Sequence, residues 1–261
     1  MHNHGGFDHN IQTLRIVILL ESKYYNFFGL NLTIETLDGL IKHNGPIKEI
    51  DEFNNISNLT NFKNKIKFKL NPSMEAQVAS IADDIAYNNH DLEDGFRAGL
   101  FSINEFTSTA YISNLVNKHA KNAKNFRKEI IINQIIRELI NIMVNDVILT
   151  TNKNLKKYKP KSINDIYLQN DLMVSFSKKM KKVDNIIKEF LKNKMYNHKK
   201  VLVNTNKGKK IIKSLFSHLS KKPNKYISND LLNRGVKERV VSDFIAGMTD
   251  RYAINLYKKI K

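Results

Sequence analysis

The amino-acid sequence predicts an all-α protein. Apolar residues recur at the 3.6-residue spacing of helices through most of the chain, and few segments alternate with a period of two. Glycine and proline, which interrupt helices, occur only 10 and 4 times in 261 residues. With 41% hydrophobic residues, the chain can form one large core or two smaller ones.

The first two helices have recognisable ends. Asp8 or His9 should open a helix that continues past Leu14. Thr33 can cap a second helix, because a hydroxyl side chain accepts hydrogen bonds from the free amides of a first turn. That helix should end at 44–46 (Asn-Gly-Pro), where glycine allows the C-terminal turn and proline blocks continuation.

A third helix is expected from Met74 to about Asp91, after a polar surface loop over 47–70. Asn71 reads as its N-cap, and Pro72 would then stand at the first helical position. Later breaks are expected at Gly95 and Gly99, and later helices near 103–122, 126–149, 171–194, 207–219, 228–234 and 236–258.

A boundary between two helical parts, residues 1–150 and 165–261, is predicted at 150–164, where the chain becomes polar and contains a proline. The most apolar stretch, 130–149, carries three charged residues and its apolar residues fall at helical spacing, which favours a buried amphipathic helix over a membrane span. The first ten residues lack the apolar segment of a signal peptide, so the simplest expectation is a cytoplasmic protein.

The formal charge of +18 invites a nucleic-acid interpretation, but the pattern does not favour a specific one. Lysine, asparagine and isoleucine are all abundant, as AT-rich codons would produce, and the lysines are scattered without an aromatic-interleaved motif. A basic surface can still attract nucleotides. The absence of cysteine excludes disulfides and thiolate metal sites.

The most informative chemistry lies on the third helix. Asp83, Tyr87 and Asp91 recur every four residues and therefore form one stripe along a helix. Such a stripe suits a pocket with one carboxylate for a hard divalent cation, a flat ring for a sugar and a second carboxylate for a hydroxyl group. Two alternatives stay open: a solvated acidic helix end, and a cation on the adjacent Asp84 in place of Asp83.

Segment 75–91 (EAQVASIADDIAYNNHD) resembles the dGTPase-like branch of the HD-domain phosphohydrolases. The same branch is resembled by 5–15 (GGFDHNIQTLR) and by 29–46 (GLNLTIETLDGLIKHNGP). Residues 195–198 (MYNH) and 244–252 (FIAGMTDRY) are similar to the helical extension of that family. The resemblance spans the chain and implies part of an HD helical core over 1–150 and an HD-associated helical domain over 165–261.

The resemblance implies a dNTP triphosphohydrolase, which converts a deoxynucleoside triphosphate and water into deoxynucleoside and triphosphate with a divalent metal, Mg or Mn. Asp83 would be a metal ligand, Tyr87 would pack on the deoxyribose and Asp91 would hold the 3′-hydroxyl. His9 would stand beside the scissile phosphate, unless it merely caps the first helix, and Lys42 would contact the triphosphate, unless it only complements the helix dipole.

Members of this family also carry a first His and a His-Asp pair upstream of the Gly-Gly-Phe segment that begins here at Gly5. The only His-Asp dipeptide in this sequence is His90-Asp91, inside the third helix. We therefore expect three of four metal ligands to be missing, so that this chain alone does not hold the metal stably. A split gene, a misassigned start codon and a decaying remnant all stay open.

Two functional hypotheses follow. One is a dNTP triphosphohydrolase, or the larger part of one, completed by an N-terminal half encoded separately. The other is a non-catalytic remnant or subunit that binds nucleotide, nucleic acid or a partner chain. Uncovered apolar faces would favour association, including a homo-oligomer. Packing roles are expected for the residues of the C-terminal motifs, namely Tyr196, His198, Asp250, Arg251 and Tyr252.

Overall fold

The computed structural model describes residues 1, 4, 6–47, 65–107, 110–121 and 126–260. Within these ranges the chain forms helices, turns and loops without a β-strand, so the predicted all-α class is confirmed. The α-helices are α1 (His9–Arg15), α2 (Ile34–Ile41), α3 (Met74–Arg97), α4 (Ala110–Ala120), α5 (Lys128–Tyr158), α6 (Ile163–Tyr167), α7 (Lys178–Leu191), α8 (Lys199–Lys221), α9 (Asn229–Leu232), α10 (Lys237–Ala246) and α11 (Asp250–Ile260).

Contacts divide the chain into two compact units. The first unit combines the described residues of 1–30 with those of 199–260, and the second unit holds the described residues of 31–198. The second unit therefore includes α2 to α7, whereas α1 belongs with α8 to α11. The expected division into a catalytic part and an associated part concerns function and stays a prediction.

The core of the second unit lies where α3, α5 and α7 meet. Leu92 of α3, Leu139 and Met143 of α5, and Ile187 and Leu191 of α7 are all completely buried in one cluster. Burying whole aliphatic side chains supplies about 1.5–3 kcal/mol each relative to exposure, so this contact stabilises the unit. It also fixes the rotation of α3 and hence the direction of its polar stripe.

Helix α5 contains the most apolar stretch and packs in this core, as predicted. It does not stop at residue 149 but continues to Tyr158, where Lys159 takes a left-handed conformation (φ 46°) before Pro160. The prediction of a polar connector over 150–164 is therefore wrong for its first half. The polar residues up to Tyr158 still belong to the helix, which ends only just before Pro160. Among the described residues, no helix is long and apolar enough to cross a membrane.

Helix α3 begins and ends differently from the prediction. Its N-cap is Ser73, whose hydroxyl accepts a hydrogen bond from the Ala76 amide, so the assignment to Asn71 is wrong. The Asn71 side chain donates instead to the Gln169 carbonyl, at 2.6 Å. The helix also runs through Gly95 and ends only before Gly99, which has φ +63°.

The predicted surface loop over 47–70 falls mostly outside the described residues, at 48–64. In the described remainder, Ile66 and Phe68 are buried, with 5% exposure each, so this end is not a surface loop. The Phe68 carbonyl accepts a hydrogen bond from the Ile47 amide, at 2.8 Å. The prediction rested on the polar composition of the whole segment, which hid these two buried apolar residues.

The first unit joins the start of the described chain to its last helices. Asp8 caps α1 by accepting hydrogen bonds from the Asn10 and Ile11 amides, so His9 is not the cap. The buried Arg15 side chain forms an ion pair with Asp243 of α10. Buried charges need such partners, since an unpaired charge away from water is strongly destabilising.

Several predicted segments of this unit change in extent. Helix α1 gives way to a π-helical turn at Ile16–Leu20, α8 begins already at Lys199, and the expected helix over 236–258 is two helices separated at Gly247. The core of the unit consists mainly of aliphatic residues from α8, α10 and α11, namely Ile211, Leu215, Leu219, Val241, Ala253 and Leu256.

Candidate functional site

The polar stripe lies on a continuous part of α3. Ile85 and Leu92 bury one side of the helix, with 4% and 0% exposure. Asp83 and Tyr87 lie outside this buried side and are exposed, whereas Asp91 is half-buried. The stripe can therefore be reached by a ligand, as the site hypothesis requires.

The first stripe residue has a histidine beside it. His43, which follows the end of α2, places its Nε2 3.4 Å from Asp83 Oδ2. Both side chains are partly solvent-exposed, with 35% and 66% relative exposure. His43 was not among the site residues predicted from the sequence. The structure adds a second metal-ligating or proton-carrying side chain next to Asp83.

The last stripe residue is held by a tyrosine from the end of α7. The Tyr196 hydroxyl donates a hydrogen bond to the Asp91 carboxylate. Burial, followed by the hydrogen bond and charge of Asp91, raises the pKa of Tyr196 well above its ordinary value. The phenol therefore stays protonated and can keep donating to Asp91.

Lys42, the expected triphosphate contact, is almost completely buried, with 1% exposure. Its Nζ lies 2.7 Å from Asp38 Oδ1 and 5.4 Å from the centre of the Tyr167 ring. Burial raises the pKa of Asp38, although the Lys42 ammonium acts in the opposite direction. A phosphate group would therefore compete with Asp38 for this lysine.

A cleft of about 390 Å³, hereafter the α2–α3 cleft, lies beside these residues. Its wall includes Lys42 and His43 after α2, Asp84 of α3, Phe176 before α7 and Lys181 of α7. Asp83, Tyr87 and Asp91 are not among its lining residues. Asp84 thus lines the cleft, and Asp83 lies beside His43, which also lines it. The expectation that the whole stripe lines one pocket stays a prediction.

A buried polar network supports the α7 side of the cleft. Asp184 is completely buried and accepts a hydrogen bond from Asn88 Nδ2, at 3.1 Å. Lys188 Nζ lies 2.8 Å from Asp84 and 3.3 Å from Asp184. Burial lowers the pKa of Lys188, but the two carboxylates raise it more, so the net direction is upward. The ammonium links the exposed Asp84 to the buried Asp184.

His9 belongs to the first unit, whereas the stripe belongs to the second. Its side chain is 77% exposed, and its Nδ1 lies 3.9 Å from Asp8 Oδ2. Its expected place beside the scissile phosphate therefore stays a prediction.

The donor set around Asp83 is too small for a divalent cation held by protein alone. Among the described residues, no group of three or more His, Cys, Asp or Glu side chains is arranged to hold a metal. Mg²⁺ demands near-octahedral oxygen ligands, and one carboxylate with one imidazole leaves most positions to water or phosphate. The residues described here do not by themselves fit such a site.

Sequence spacing found the stripe but missed its partners. His43 and Tyr196 reach it from other parts of the chain, and the Tyr196–Asp91 contact spans 105 residues. The sequence around these residues gave no signal beyond the residue type itself. Charged and polar side chains are seldom fully buried unless they have a partner.

Comparison with known proteins identifies the family of this chain. The family described as Phosphohydrolase-associated domain matches residues 174–259. A protein named deoxyguanosinetriphosphate triphosphohydrolase-like from Pelagibacter ubique is 51% identical over 260 residues, which cover 100% of this chain and 70% of that protein. Proteins of the same name from Parvibaculum lavamentivorans and Rickettsia typhi are each 37% identical, over 100% of this chain and 68% of theirs. At this identity and coverage, the chain belongs to the deoxyguanosinetriphosphate triphosphohydrolase-like family.

Proposed function

We propose that this chain supplies the deoxynucleoside-binding face of a dNTP triphosphohydrolase. The carrying observation is the stripe of Asp83, Tyr87 and Asp91 on α3, with His43 at one end and Tyr196 at the other. The name of its relatives supports the proposed reaction, in which a dNTP and water become deoxynucleoside and inorganic triphosphate.

The sugar end of the substrate would lie against Tyr87 and Asp91. The exposed Tyr87 ring offers a flat apolar surface to the deoxyribose. Asp91 retains lone pairs besides the one that accepts the Tyr196 hydrogen bond, and one of these can accept the 3′-hydroxyl proton. Tyr196 would act as a positioning residue that holds the carboxylate in place.

The phosphate end would lie toward His43 and the α2–α3 cleft. Lys42 and Lys181 line that cleft and can donate to a polyanionic phosphate chain, which would compete with their partners Asp38 and Asp184. Asp83 would contribute one carboxylate to a divalent cation, which in this reaction polarises the scissile phosphate. The described donor set does not fit that cation by itself, so its remaining ligands would have to come from an N-terminal half.

A hydroxyl-deletion experiment tests the sugar site. Each dNTP and its 2′,3′-dideoxy analogue are titrated into the protein by calorimetry. We expect roughly tenfold weaker binding of the dideoxy analogue, because a lost hydrogen bond to a charged group is worth about 1.5–3 kcal/mol. In Asp91→Asn the difference between the two ligands should shrink, and in Asp94→Asn, an exposed carboxylate on the same helix, it should persist. Equal affinities in the unmodified protein would contradict the assignment.

An activity experiment tests the reaction. Triphosphate release from each dNTP is measured with Mg²⁺ or Mn²⁺, first with the 261-residue chain alone, where little turnover is expected. The chain is then mixed with a polypeptide carrying the upstream His and His-Asp segments of a full-length family member. Turnover that appears on mixing and is lost in Asp83→Ala supports the proposal. Robust turnover by the chain alone that survives Asp83→Ala contradicts it, and none in either case favours a non-catalytic subunit.

A further inference from the structure

A second cleft, lined by lysines and hydroxyl groups, lies in the first unit between α8 and α11. It has a volume of about 420 Å³, within the range typical of small-molecule sites. The polar side chains that line this α8–α11 cleft are Lys210, Ser214, Ser217, His218, Lys221 and Tyr257. Among the described residues, its lining contains two lysines and no carboxylate.

The spacing of these residues explains why they meet. Lys210, Ser214, Ser217 and Lys221 follow one another at four, three and four residues, which places them on one face of α8. Tyr257 reaches the same cleft from α11. Helix α8 has no Asp or Glu in its 23 residues, so no acidic neighbour on this helix neutralises the face.

The donors match the oxygen atoms of a phosphate chain. Lysine ammonium groups and hydroxyls donate several hydrogen bonds, and charge-assisted bonds to phosphate are roughly twice as strong as neutral ones. In the described part of the chain, no carboxylate forms an ion pair with Lys210 or Lys221. All ion pairs found in this part have nitrogen–oxygen distances of 4.0 Å or less. His218 is oriented by Tyr226, whose hydroxyl oxygen lies 3.1 Å from Nε2.

We propose that the α8–α11 cleft binds a di- or triphosphate anion, either inorganic or as the phosphate chain of a nucleotide. The site involves none of the stripe residues, so it does not depend on the proposed triphosphohydrolase function. Lys210 and Lys221 supply the charge, Ser214 and Ser217 supply neutral donors, and His218 lies at the wall of the cleft.

The test is a titration read at His218, because a local signal separates this cleft from phosphate binding elsewhere. The side-chain resonance of His218 is assigned with His218→Gln and followed by NMR at constant ionic strength. The probes are sodium triphosphate, dGTP and deoxyguanosine. We expect saturable shifts with both phosphorylated probes and none with deoxyguanosine. A shift with dGTP alone would identify a nucleotide as the ligand. No saturable shift, or an equal one with deoxyguanosine, would overturn the proposal.

A matched pair of variants distinguishes a site from diffuse positive charge. Lys210→Gln with Lys221→Gln removes two lining charges, whereas Lys209→Gln with Lys213→Gln removes two exposed charges of the same helix that do not line the cleft. The first pair should weaken triphosphate binding at His218 by about tenfold or more, and the second by about twofold or less. Equal weakening by both pairs would overturn the proposal. Unchanged thermal unfolding midpoints confirm that both variants fold.

Discussion

Gly95 occupies the middle of α3, where a glycine would ordinarily weaken a helix. A Cβ atom at this position would lie 2.2 Å from Cζ of Phe101. That ring is buried and contacts Phe96 and Phe190 edge-to-face, at centroid distances of 4.9 and 4.8 Å. The three packed rings leave little room for Phe101 to move, so the absence of a side chain at Gly95 is what allows the aromatic cluster to pack against α3.

Gly95→Ala should therefore destabilise the protein despite the better helix propensity of alanine. Overpacking of a dense core typically costs about 1–3 kcal/mol. Gly208 provides the control, since it is also helical, and a Cβ there meets nothing within 4 Å. Gly208→Ala should raise stability by about 0.5–1 kcal/mol. Chemical denaturation of both variants measures the change in the free energy of unfolding, which should be opposite in sign for the two. A stabilising Gly95→Ala would mean that Phe101 moves freely.

The hydrogen bond from Tyr196 to Asp91 makes a separate prediction. Tyr196→Phe should lower the free energy of unfolding by about 1 kcal/mol, a value near that of a typical hydrogen bond because the tyrosine is 37% exposed. Tyr87→Phe removes a hydroxyl from an exposed ring of the same stripe and should change stability by less than about 0.5 kcal/mol. Thermal unfolding of the two variants measures both effects. Equal losses of stability would show that the Tyr196–Asp91 hydrogen bond contributes no more than an exposed hydroxyl.

At the scale of elements, the short 3₁₀ turn Ile103–Phe106 is fixed by its own glutamate. Glu105 Oε2 accepts hydrogen bonds from the backbone amide and hydroxyl of Ser102, at 2.8 and 3.0 Å. Lys194, after α7, donates to Oε1 at 2.9 Å. The Lys194 hydrogen bond and those from Ser102 lower the pKa of Glu105 from 4.5 to about 2. One carboxylate thus joins a turn to a distant helix end.

This depressed pKa sets the sign of a pH effect. A carboxyl group whose pKa is lower in the folded state stabilises fully above its ordinary pKa of 4.5, and its contribution is lost as pH falls toward about 2. Lys194→Gln should raise the Glu105 pKa and make the fall in stability over this window shallower. Carboxyl titration by NMR and unfolding at several pH values measure both. An unchanged pKa in Lys194→Gln would assign the shift to Ser102 alone.

The ends of α2 and α3 show which parts of the fold a sequence can predict. Thr33 caps α2 as expected, because capping is a local interaction between a side chain and the next turn. The start of α3 was misplaced because Asn71 is used by a tertiary contact to Gln169, and a local pattern cannot register such competition. The predicted helix break at Gly95 is wrong for the same reason. The glycine makes room for the Phe101 ring, which is a tertiary contact that a local pattern does not contain.

The candidate site divides along the same line. The stripe on α3 follows from helical periodicity, so residues four apart could be assigned to one face in advance. Its partner Tyr196 and the buried Asp184 lie 105 and 96 residues away from their contacts, and periodicity carries no information about them. Only packing decides which helices bring such groups together.

For the whole molecule, the charge of +18 predicts how it meets polyanions. Any binding to DNA should be insensitive to sequence and should weaken steeply between low and physiological salt, because it rests on the release of counterions. Fluorescence anisotropy with several unrelated oligonucleotides at increasing salt gives the slope. Tight binding to one sequence at physiological salt would show a specific interface and contradict this expectation.

The pairing of α1 with α10 has a consequence for synthesis on the ribosome. Arg15 and Asp243 form a buried pair 228 residues apart, so α1 cannot complete its unit until the last helices emerge. At about 5–20 residues per second, that interval is roughly ten to fifty seconds. Throughout it, Ile11 and Leu14, which are buried in the finished protein, lack the part of their unit that follows residue 198. During that interval the nascent chain therefore exposes two apolar side chains of α1 to chaperones, while the helices of the second unit are already emerging.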